Sequence, residues 1–192
     1  LPYFFSVIII GKIVYLMTQT QNGILNQIRD IFGLLPIAWD QEPKYWVPII
    51  VTTFLWRSVG YSSIIYLATI IGIDENLFEA ASIDGAGKMR QIFSITLPML
   101  VPMIITLCLL SIGRMFYGDF ELIYAIVGDN SNVIPTTDIL ETYIFRMTRS
   151  GTGIMAYGML TAIGLVQSAL GFIMIFGSNS LVKWYNRDYA LF

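Results

Sequence analysis

Residues 79–98 read EAASIDGAGKMRQIFSITLP, a polar hairpin between two long apolar segments. It begins with acidic and small residues, breaks at Gly85, and returns through an amphipathic segment that stops at Pro98. An apolar segment of about 20 residues can cross a bilayer as a helix. The stretch therefore predicts a loop that joins two membrane spans and offers a polar surface to another protein.

The composition of the whole chain is that of an integral membrane protein. Hydrophobic residues make up 56% and charged residues 12%, with a mean hydropathy of +0.69, whereas soluble domains carry roughly 25% charged residues. The net charge of −2 comes with scattered Lys and Arg, which disfavours nucleic acid as a partner. The chain has a single cysteine, Cys108, and no histidine. It therefore has no intrachain disulfide, and it lacks the commonest general base and metal ligand.

These observations predict an all-α fold, a polytopic membrane helical bundle in a single transmembrane domain over residues 1–192. Four apolar segments have, or nearly have, the length of a span, at residues 1–17, 46–72, 97–117 and 153–176. The first is short and the chain does not begin with Met, so we expect N-terminal truncation. Between the spans we expect short helices near the apolar patch 31–37 and at 139–147, the second after a Thr or Asp cap.

The loop 74–96 has local signals for one helix and a turn. Asp74 is a good N-cap, and Glu75 places a negative charge in the first turn of a helix that runs to Ile83. Gly85 follows where a helix most often ends in a left-handed residue. The next span then begins near Pro98, which is tolerated in a first helical turn. An alternative interpretation is a solvated turn without a partner.

The register of this loop resembles the EAA loop of permease subunits of binding-protein-dependent ABC importers, which have the MetI-like type I fold. The resemblance rests on Glu79-Ala80-Ala81, on Asp84-Gly85-Ala86, and on Phe93, Leu97 and Pro98 in register. It implies a cytoplasmic coupling helix that docks on an ATP-binding subunit. Glu79 would then meet a basic residue of that subunit, Ala80 and Ala81 would permit close packing, Gly85 would form the turn, and Asp84 would contact the subunit or stabilise the loop.

Weaker motifs extend the resemblance over essentially the whole chain, toward sugar and oligosaccharide permeases of the maltose-type group, including importers of uronate-containing sugars. They are Leu1-Pro2, Gly23-Ile24-Leu25-Asn26, Trp56, Tyr61 and Gly118-Asp119-Phe120. The resemblance implies a prokaryotic inner membrane, with the loop and the C-terminus cytoplasmic. The implied partners are a dimer of ATP-binding-cassette subunits, a second permease in a heterodimer, and an extracytoplasmic solute-binding protein. The chain has no Gly-x-x-x-x-Gly-Lys-Ser/Thr loop, so we expect no cofactor here and use of ATP and Mg²⁺ by the partner ATPase.

Basic residues within the apolar segments indicate a translocation path. A charge at the centre of a span costs roughly 2.5–3.5 kcal/mol, so it faces protein or water. We predict a transient sugar site in which aromatic faces contact pyranose rings and Arg or Tyr binds hydroxyls or a uronate; its residues are Phe54, Arg57, Ser58, Tyr61, Ser111, Arg114 and Met115. An equal alternative is that the two arginines pair with carbonyls, Asp119 or Glu121 and so close a gate or stabilise helix ends.

Three alternatives compete with a sugar importer subunit. The loop architecture also suits importers of amino acids, phosphate or peptides. An ion-coupled secondary transporter would have acidic residues inside its spans, and no Asp or Glu lies centrally in a predicted span. An intramembrane enzyme would need a reactive constellation of side chains, which the absence of histidine disfavours.

Overall fold

The computed structural model describes residues 2–150 and 153–191, and every regular element within these ranges is helical. The helices are α1 (Val7–Thr18), α2 (Ile24–Ile31), α3 (Trp46–Ile71), α4 (Glu75–Ile83), α5 (Lys88–Gln91), α6 (Leu97–Gly113), α7 (Phe120–Val127), α8 (Ile134–Thr137), α9 (Leu140–Arg149) and α10 (Gly153–Tyr185). A π-helical segment, Ile92–Thr96, joins α5 to α6, and short 3₁₀ turns occupy Pro2–Phe4, Trp39–Gln41, Pro43–Tyr45 and Arg187–Tyr189.

Three helical stretches of the described chain are long and apolar enough to cross a membrane, namely Pro43–Ile71, Lys88–Gly113 and Tyr157–Trp184. They correspond to three of the predicted spans. The stretch from Lys88 begins nine residues before the predicted start at 97, because the return arm of the loop is itself helical and continues into α6. The first predicted span, 1–17, overlaps α1, which runs from Val7 to Thr18 and has 12 residues. A fourth span therefore stays a prediction.

The connections differ from the prediction in two places. The short helix of the first connection is α2, and residues 34–38 are not helical. Gly33, at φ 67°, ends that helix with the backbone conformation that glycine adopts most readily. In the last connection, α9 confirms the helix predicted at 139–147, although its N-cap is Ile139 and not the predicted Thr or Asp. The helix α7 was missed. Its buried residues include Leu122 and Ile126, so this segment belongs to a core rather than to a polar loop.

The chain folds into two compact units. The first comprises residues 1–61 and 118–162. Its core forms where α1 crosses α7: Ile10 and Val14 pack with Leu122, Ile126 and other buried residues. Gly11 lies at the crossing, and a Cβ added there would be 2.1 Å from the carbonyl oxygen of Ala125. Only glycine allows the two backbones to approach this closely.

The junction between α8 and α9 is held by an ion pair in this first unit. Arg146 Nη1 donates to Asp138 Oδ1 at 3.0 Å, and the Thr142 hydroxyl also donates to Asp138 Oδ1. Partial burial raises the pKa of the Asp138 carboxyl, but these bonds together outweigh that effect and leave the pKa below its usual value. The carboxylate is therefore the form that this junction stabilises.

The second unit comprises residues 62–117 and 163–192. Here α6 and α10 approach closely, since a Cβ on Gly171 would be 2.8 Å from the carbonyl oxygen of Gly113. Polar residues of α10 form hydrogen bonds within the unit: Gln167 Nε2 donates to the carbonyl of Phe116 at 2.7 Å, and Ser168 Oγ lies 2.9 Å from Tyr117 Oη. Small and polar residues thus fix the contact between these two apolar helices.

Candidate functional site

The helix predicted within the loop 74–96 forms as α4, and its start is capped as the sequence indicates. Asp74 Oδ1 accepts a hydrogen bond from the backbone N–H of Asn76 at 3.0 Å, and Glu75 lies in the first turn. Both arrangements stabilise a helix N-terminus. Glu79 and Ala80 are exposed, whereas Ala81 is half-buried. The helix therefore presents an acidic and small-residue face to its surroundings.

The end of α4 explains the spacing between the two halves of the motif. Gly85 has φ 78°, its N–H donates to the carbonyl of Ser82, and the Ala86 N–H donates to the carbonyl of Ala81 at 2.8 Å. This pair of bonds is a Schellman motif, in which the left-handed residue is usually glycine. Ala81 and Ala86 are thus the two ends of one hydrogen bond, and exposed Asp84 is the last residue before the turn. The motif Glu79–Ala86 therefore specifies a helix whose end is fixed at Gly85.

One residue of this loop was missed by the sequence analysis. Gln91 Nε2 donates to Ser82 Oγ at 2.9 Å and to the carbonyl of Ala86 at 3.1 Å. The side chain ties the return arm to both α4 and its turn. A glutamine three residues after Lys88 gives no sequence signal for this role, because the contact depends on how sharply the turn reverses the chain.

The return arm contains the π-helical segment Ile92–Thr96, which leads directly into α6. A π turn holds one residue more than an α turn and often marks a functional site. Both flanking segments are α-helical, so the arm and the predicted span form one continuous helix with a single wide turn.

In the first unit, Arg57 of α3 lies among polar and aromatic groups. Its Nη1 is 3.3 Å from Asp119 Oδ2, with 21% of the arginine side chain and 33% of the aspartate side chain exposed. The guanidinium carbon is 5.7 Å from the centre of the Tyr3 ring, and that ring stacks on Tyr61 at 4.6 Å. Arg57 Nε is buried and makes no hydrogen bond within the part of the chain that the structure describes.

This arrangement brings together part of the predicted path. Arg57 and Tyr61 share the ring of Tyr3, and Phe54, one turn before Arg57, is 46% exposed. The Ser58 hydroxyl donates to the carbonyl of Leu55 on its own helix. The ion pair between Arg57 and Asp119 is one of the pairings that the gating alternative predicts. Asp119 also caps α7, because its Oδ1 accepts a hydrogen bond from the N–H of Leu122 at 3.1 Å.

The remaining predicted path residues belong to the second unit. The Ser111 hydroxyl donates to the carbonyl of Leu107 at 2.8 Å, so its oxygen is engaged with its own helix. Arg114 lies just past the end of α6 and is exposed, and Met115 is 71% exposed. Arg114 is therefore outside the apolar helix. That these residues converge with Phe54, Arg57, Ser58 and Tyr61 stays a prediction.

Over residues 1–187, the chain matches the family described as binding-protein-dependent transport system inner membrane component. It belongs to that family, which confirms the resemblance. The polygalacturonan/rhamnogalacturonan transport system permease protein YteP of Bacillus subtilis is 30% identical over 98% of the chain and 57% of the relative. Protein LplB of the same organism is 32% identical over 97% of the chain and 57% of the relative.

A solved structure shares the fold. A bacterial alginate ABC transporter, in complex with its periplasmic protein bound to an alginate pentasaccharide, aligns with a TM-score of 0.84 and 29% identity. The alignment covers 96% of the chain and 62% of the transporter chain. The all-helical permease fold is thus confirmed, and the chain spans somewhat more than half the length of the proteins it matches.

Proposed function

We propose that the protein is a membrane subunit of an ATP-driven importer and forms part of the path for a sugar or oligosaccharide. The observation that carries this proposal is the exposed helix with its fixed stop at Gly85, whose residues have the register of a coupling loop. The names of the relatives support the substrate class, since they specify polygalacturonan, rhamnogalacturonan and alginate. A solute-binding protein outside the membrane would deliver this substrate.

The loop suits the transmission of movement from an ATP-binding subunit because hydrogen bonds hold its helix, its turn and its return arm together. Its helix is capped at Asp74, its turn is closed by the bonds of Gly85 and Ala86, and Gln91 ties the return arm to both. Exposed Glu79 would meet a basic residue of the ATP-binding subunit, and Ala80 and Ala81 would let that subunit approach. Movement of α4 would then reach α6 through a continuous helix.

Charge reversal at Glu79 tests this coupling. We expect Glu79→Lys to leave the subunit in the membrane and to abolish transport, because the carboxylate that meets the ATPase becomes a repelling cation. The measurement is uptake of labelled oligosaccharide together with ATP hydrolysis in proteoliposomes. Lys88→Glu is the matched control, since it reverses an exposed charge of the same loop outside the motif. Normal uptake in Glu79→Lys would refute the coupling role.

For the substrate path, we propose that Arg57 meets a carboxylate of an acidic sugar. Arg57 already pairs with a carboxylate, Asp119, and its buried Nε has a spare donor. A uronate could take the place of Asp119 in a two-bond contact, with Tyr61 beside it. The second candidate role is a gate, in which the Arg57–Asp119 pair closes the path between substrates. The same ion pair supports this role.

Removing the guanidinium distinguishes the two roles. If Arg57 binds a uronate, Arg57→Ala lowers uptake of an acidic oligosaccharide at least about tenfold, the equivalent of about 1.4 kcal/mol, and affects a neutral one much less. Lys12→Ala serves as the control, because Lys12 is a second basic residue within an apolar helix. Equal loss for acidic and neutral sugars would assign Arg57 to the gate. The measurement is competitive uptake of the two labelled sugars.

The proposed assembly contains two ATP-binding-cassette subunits, which use ATP and Mg²⁺, and a second permease subunit that forms a heterodimer with this one. The subunit would lie in the inner membrane, with α4 and the C-terminus cytoplasmic. Mass spectrometry of the complex purified in detergent tests this composition. A lone protein without an ATPase would favour a secondary transporter, and a different ligand on the co-purified binding protein would indicate a non-sugar solute.

A further inference from the structure

The first unit contains a cavity of about 530 Å³ that none of the roles above uses. It lies where the end of α1, the turn at residues 19–22, the segment before α3 and the end of α7 come together. Cavities of about 300–1,000 Å³ are typical of small-molecule sites. The residues that line the cavity, and the contacts that hold them in place, indicate which class of ligand it can bind.

The lining combines an apolar patch with free amides. Trp46, Ile126 and Val127 contribute buried apolar surface, and the indole N–H of Trp46 is already bonded to the carbonyl of Trp39. Around this patch, the side-chain amides of Gln19 and Gln41 make no hydrogen bond among the described residues. Each amide offers two donors and an acceptor with two lone pairs, so the cavity can exchange several bonds with a ligand.

The wall at residues 19–22 is held in place from behind. Gly23 follows this turn, and a Cβ there would be 2.2 Å from the carbonyl oxygen of Gln19. The side chain of Asn26 is 6% exposed and donates to the carbonyl of Thr20 at 2.8 Å. Asn130 Nδ2 donates to the carbonyl of Asp40 at 2.9 Å and so joins the other wall. The cavity is therefore formed before a ligand arrives.

The charges of the lining residues disfavour an anionic ligand. Asp40 is the only charged residue among those that line the cavity, and one of its carboxylate oxygens accepts a bond from the Thr20 hydroxyl at 2.8 Å. No Lys or Arg is among these lining residues. A uronate or phosphate would meet a carboxylate without a compensating cation, whereas hydroxyl groups could donate to it.

We propose that this cavity binds a neutral, hydroxyl-rich saccharide unit. The C–H face of a pyranose would lie on the half-exposed ring of Tyr15, over the buried apolar floor, while its hydroxyls bridge the amides of Gln19 and Gln41 and the carboxylate of Asp40. A protein partner fits less well, because specific interfaces bury about 800 Å² on each partner and this site is a small concave cup between two loops.

This inference goes beyond the proposed function and rests on it only for the side of the membrane on which the cavity lies. The cavity is lined by residues that precede α3 and by the end of α7, and α4 follows α3. If α3 spans the membrane, the residues before it and α4 after it face opposite sides. If α4 faces the cytoplasm, the cavity is extracytoplasmic, where it would contact a saccharide before the path containing Arg57. Its neutral preference differs from the acidic preference proposed for Arg57.

The test measures saccharide binding to the full importer complex in nanodiscs without the solute-binding protein. The probes are two neutral tetrasaccharides, cellotetraose and galactotetraose, with tetragalacturonate as the anionic comparison, and the readout is saturation-transfer-difference NMR titration. We expect millimolar or tighter binding of a neutral probe and, in an Arg57→Ala background that removes the acidic-sugar site proposed above, weaker binding of tetragalacturonate. Gln19→Ala/Gln41→Ala should weaken the neutral probe at least about tenfold, about 1.4 kcal/mol. Asn132→Ala, an exposed amide outside the lining, should not.

Two outcomes would overturn the proposal: no neutral probe binds at millimolar concentration, or binding persists unchanged in the double variant. Loss of affinity for the solute-binding protein in the double variant, without saccharide binding, would assign the cavity to protein docking instead. The double variant should fold, since neither amide has a partner to lose. Failure of the proposed function appears separately, as normal uptake by Glu79→Lys or as a complex without an ATPase.

Discussion

At the scale of single residues, Asn26 shows what a short motif means physically. Its Nδ2 donates to the carbonyls of Thr20 and Ile37, and its Oδ1 accepts from the N–H of Ile37 and from the indole of Trp39, all within 2.8–3.0 Å. An asparagine side chain has two donors and two lone pairs, so every one of them is used. Asn26, the last residue of the stretch Gly23-Ile24-Leu25-Asn26 that carries part of the family resemblance, is therefore the hydrogen-bonding hub of the first connection.

Replacing this hub should destabilise the first unit. Asn26→Ala leaves partly buried backbone groups of Thr20 and Ile37 without partners, and a fully buried unpaired group costs about 1–3 kcal/mol. We therefore expect the variant to unfold at lower denaturant concentration by at least about 2 kcal/mol, as followed by Trp fluorescence in detergent. Gln27→Ala, which removes one exposed hydrogen bond on the same helix, is the control and should lose less than about 1 kcal/mol.

A loss of unfolding free energy in Asn26→Ala no larger than in Gln27→Ala would show that water replaces the amide.

The partner of Arg57 could be predicted only in part from the sequence. That Arg57 needs a partner follows from its place in an apolar segment, but the choice of Asp119, 62 residues away, depends on how α3 and α7 pack. The sequence left both Asp119 and Glu121 open.

At the scale of elements, local signals were sufficient where caps and turns decide the structure. The limits of α3 and α4 follow from hydropathy, the Asp74 cap and the left-handed Gly85, and all of these act within a few residues. Element α7 was missed because its eight residues are too few for a span and follow polar Gly118-Asp119. It becomes a core helix only through its crossing with α1, which lies more than 100 residues earlier in the chain.

That crossing makes Gly11 a sensitive position. In Gly11→Ala the new methyl group would overlap the carbonyl of Ala125, so α1 and α7 must separate and the core around Ile10 loosens. We expect a loss of about 1–3 kcal/mol, the usual cost of overpacking, measured as a lower thermal midpoint in detergent. Gly177→Ala is the matched control, because a Cβ there meets no atom within 4 Å and alanine favours a helix.

An unchanged midpoint for Gly11→Ala would mean that the two helices shift apart without cost. Both variants place the same methyl group on a glycine inside a helix. Their difference therefore isolates the contact with Ala125 from the effect of helix propensity.

At the scale of the whole molecule, the three long apolar helices predict which connections share a side of the membrane. If α3 and Lys88–Gly113 both cross it, residues 19–45 and 118–150 lie on one side. Two hydrogen bonds within the first unit agree with this: Asn130 Nδ2 to the carbonyl of Asp40, and Thr136 Oγ1 to the carbonyl of Pro43, both at 2.9 Å. Both bonds join the two connections and therefore support a shared side.

Cysteine labelling tests this topology. In a Cys108→Ala background, Asn132→Cys should react with a membrane-impermeant maleimide in intact cells, since residues 118–150 would be extracytoplasmic. Lys88→Cys should react only after the membrane is opened. Labelling of both positions in intact cells would contradict the assignment of three spans, and the reverse pattern would invert the orientation while keeping the spans.

The wide turn at Ile92–Thr96 also constrains length and direction together. Because a π turn contains one residue more than an α turn, the helix before it is rotated by about 100° relative to a plain α-helical continuation. Deleting one residue there would let the wide turn close to an ordinary α turn and would leave α4 on the same side. If the turn closed with all its residues retained, α4 would swing by about 100°, so the wide turn takes up one extra residue while keeping the direction of the loop.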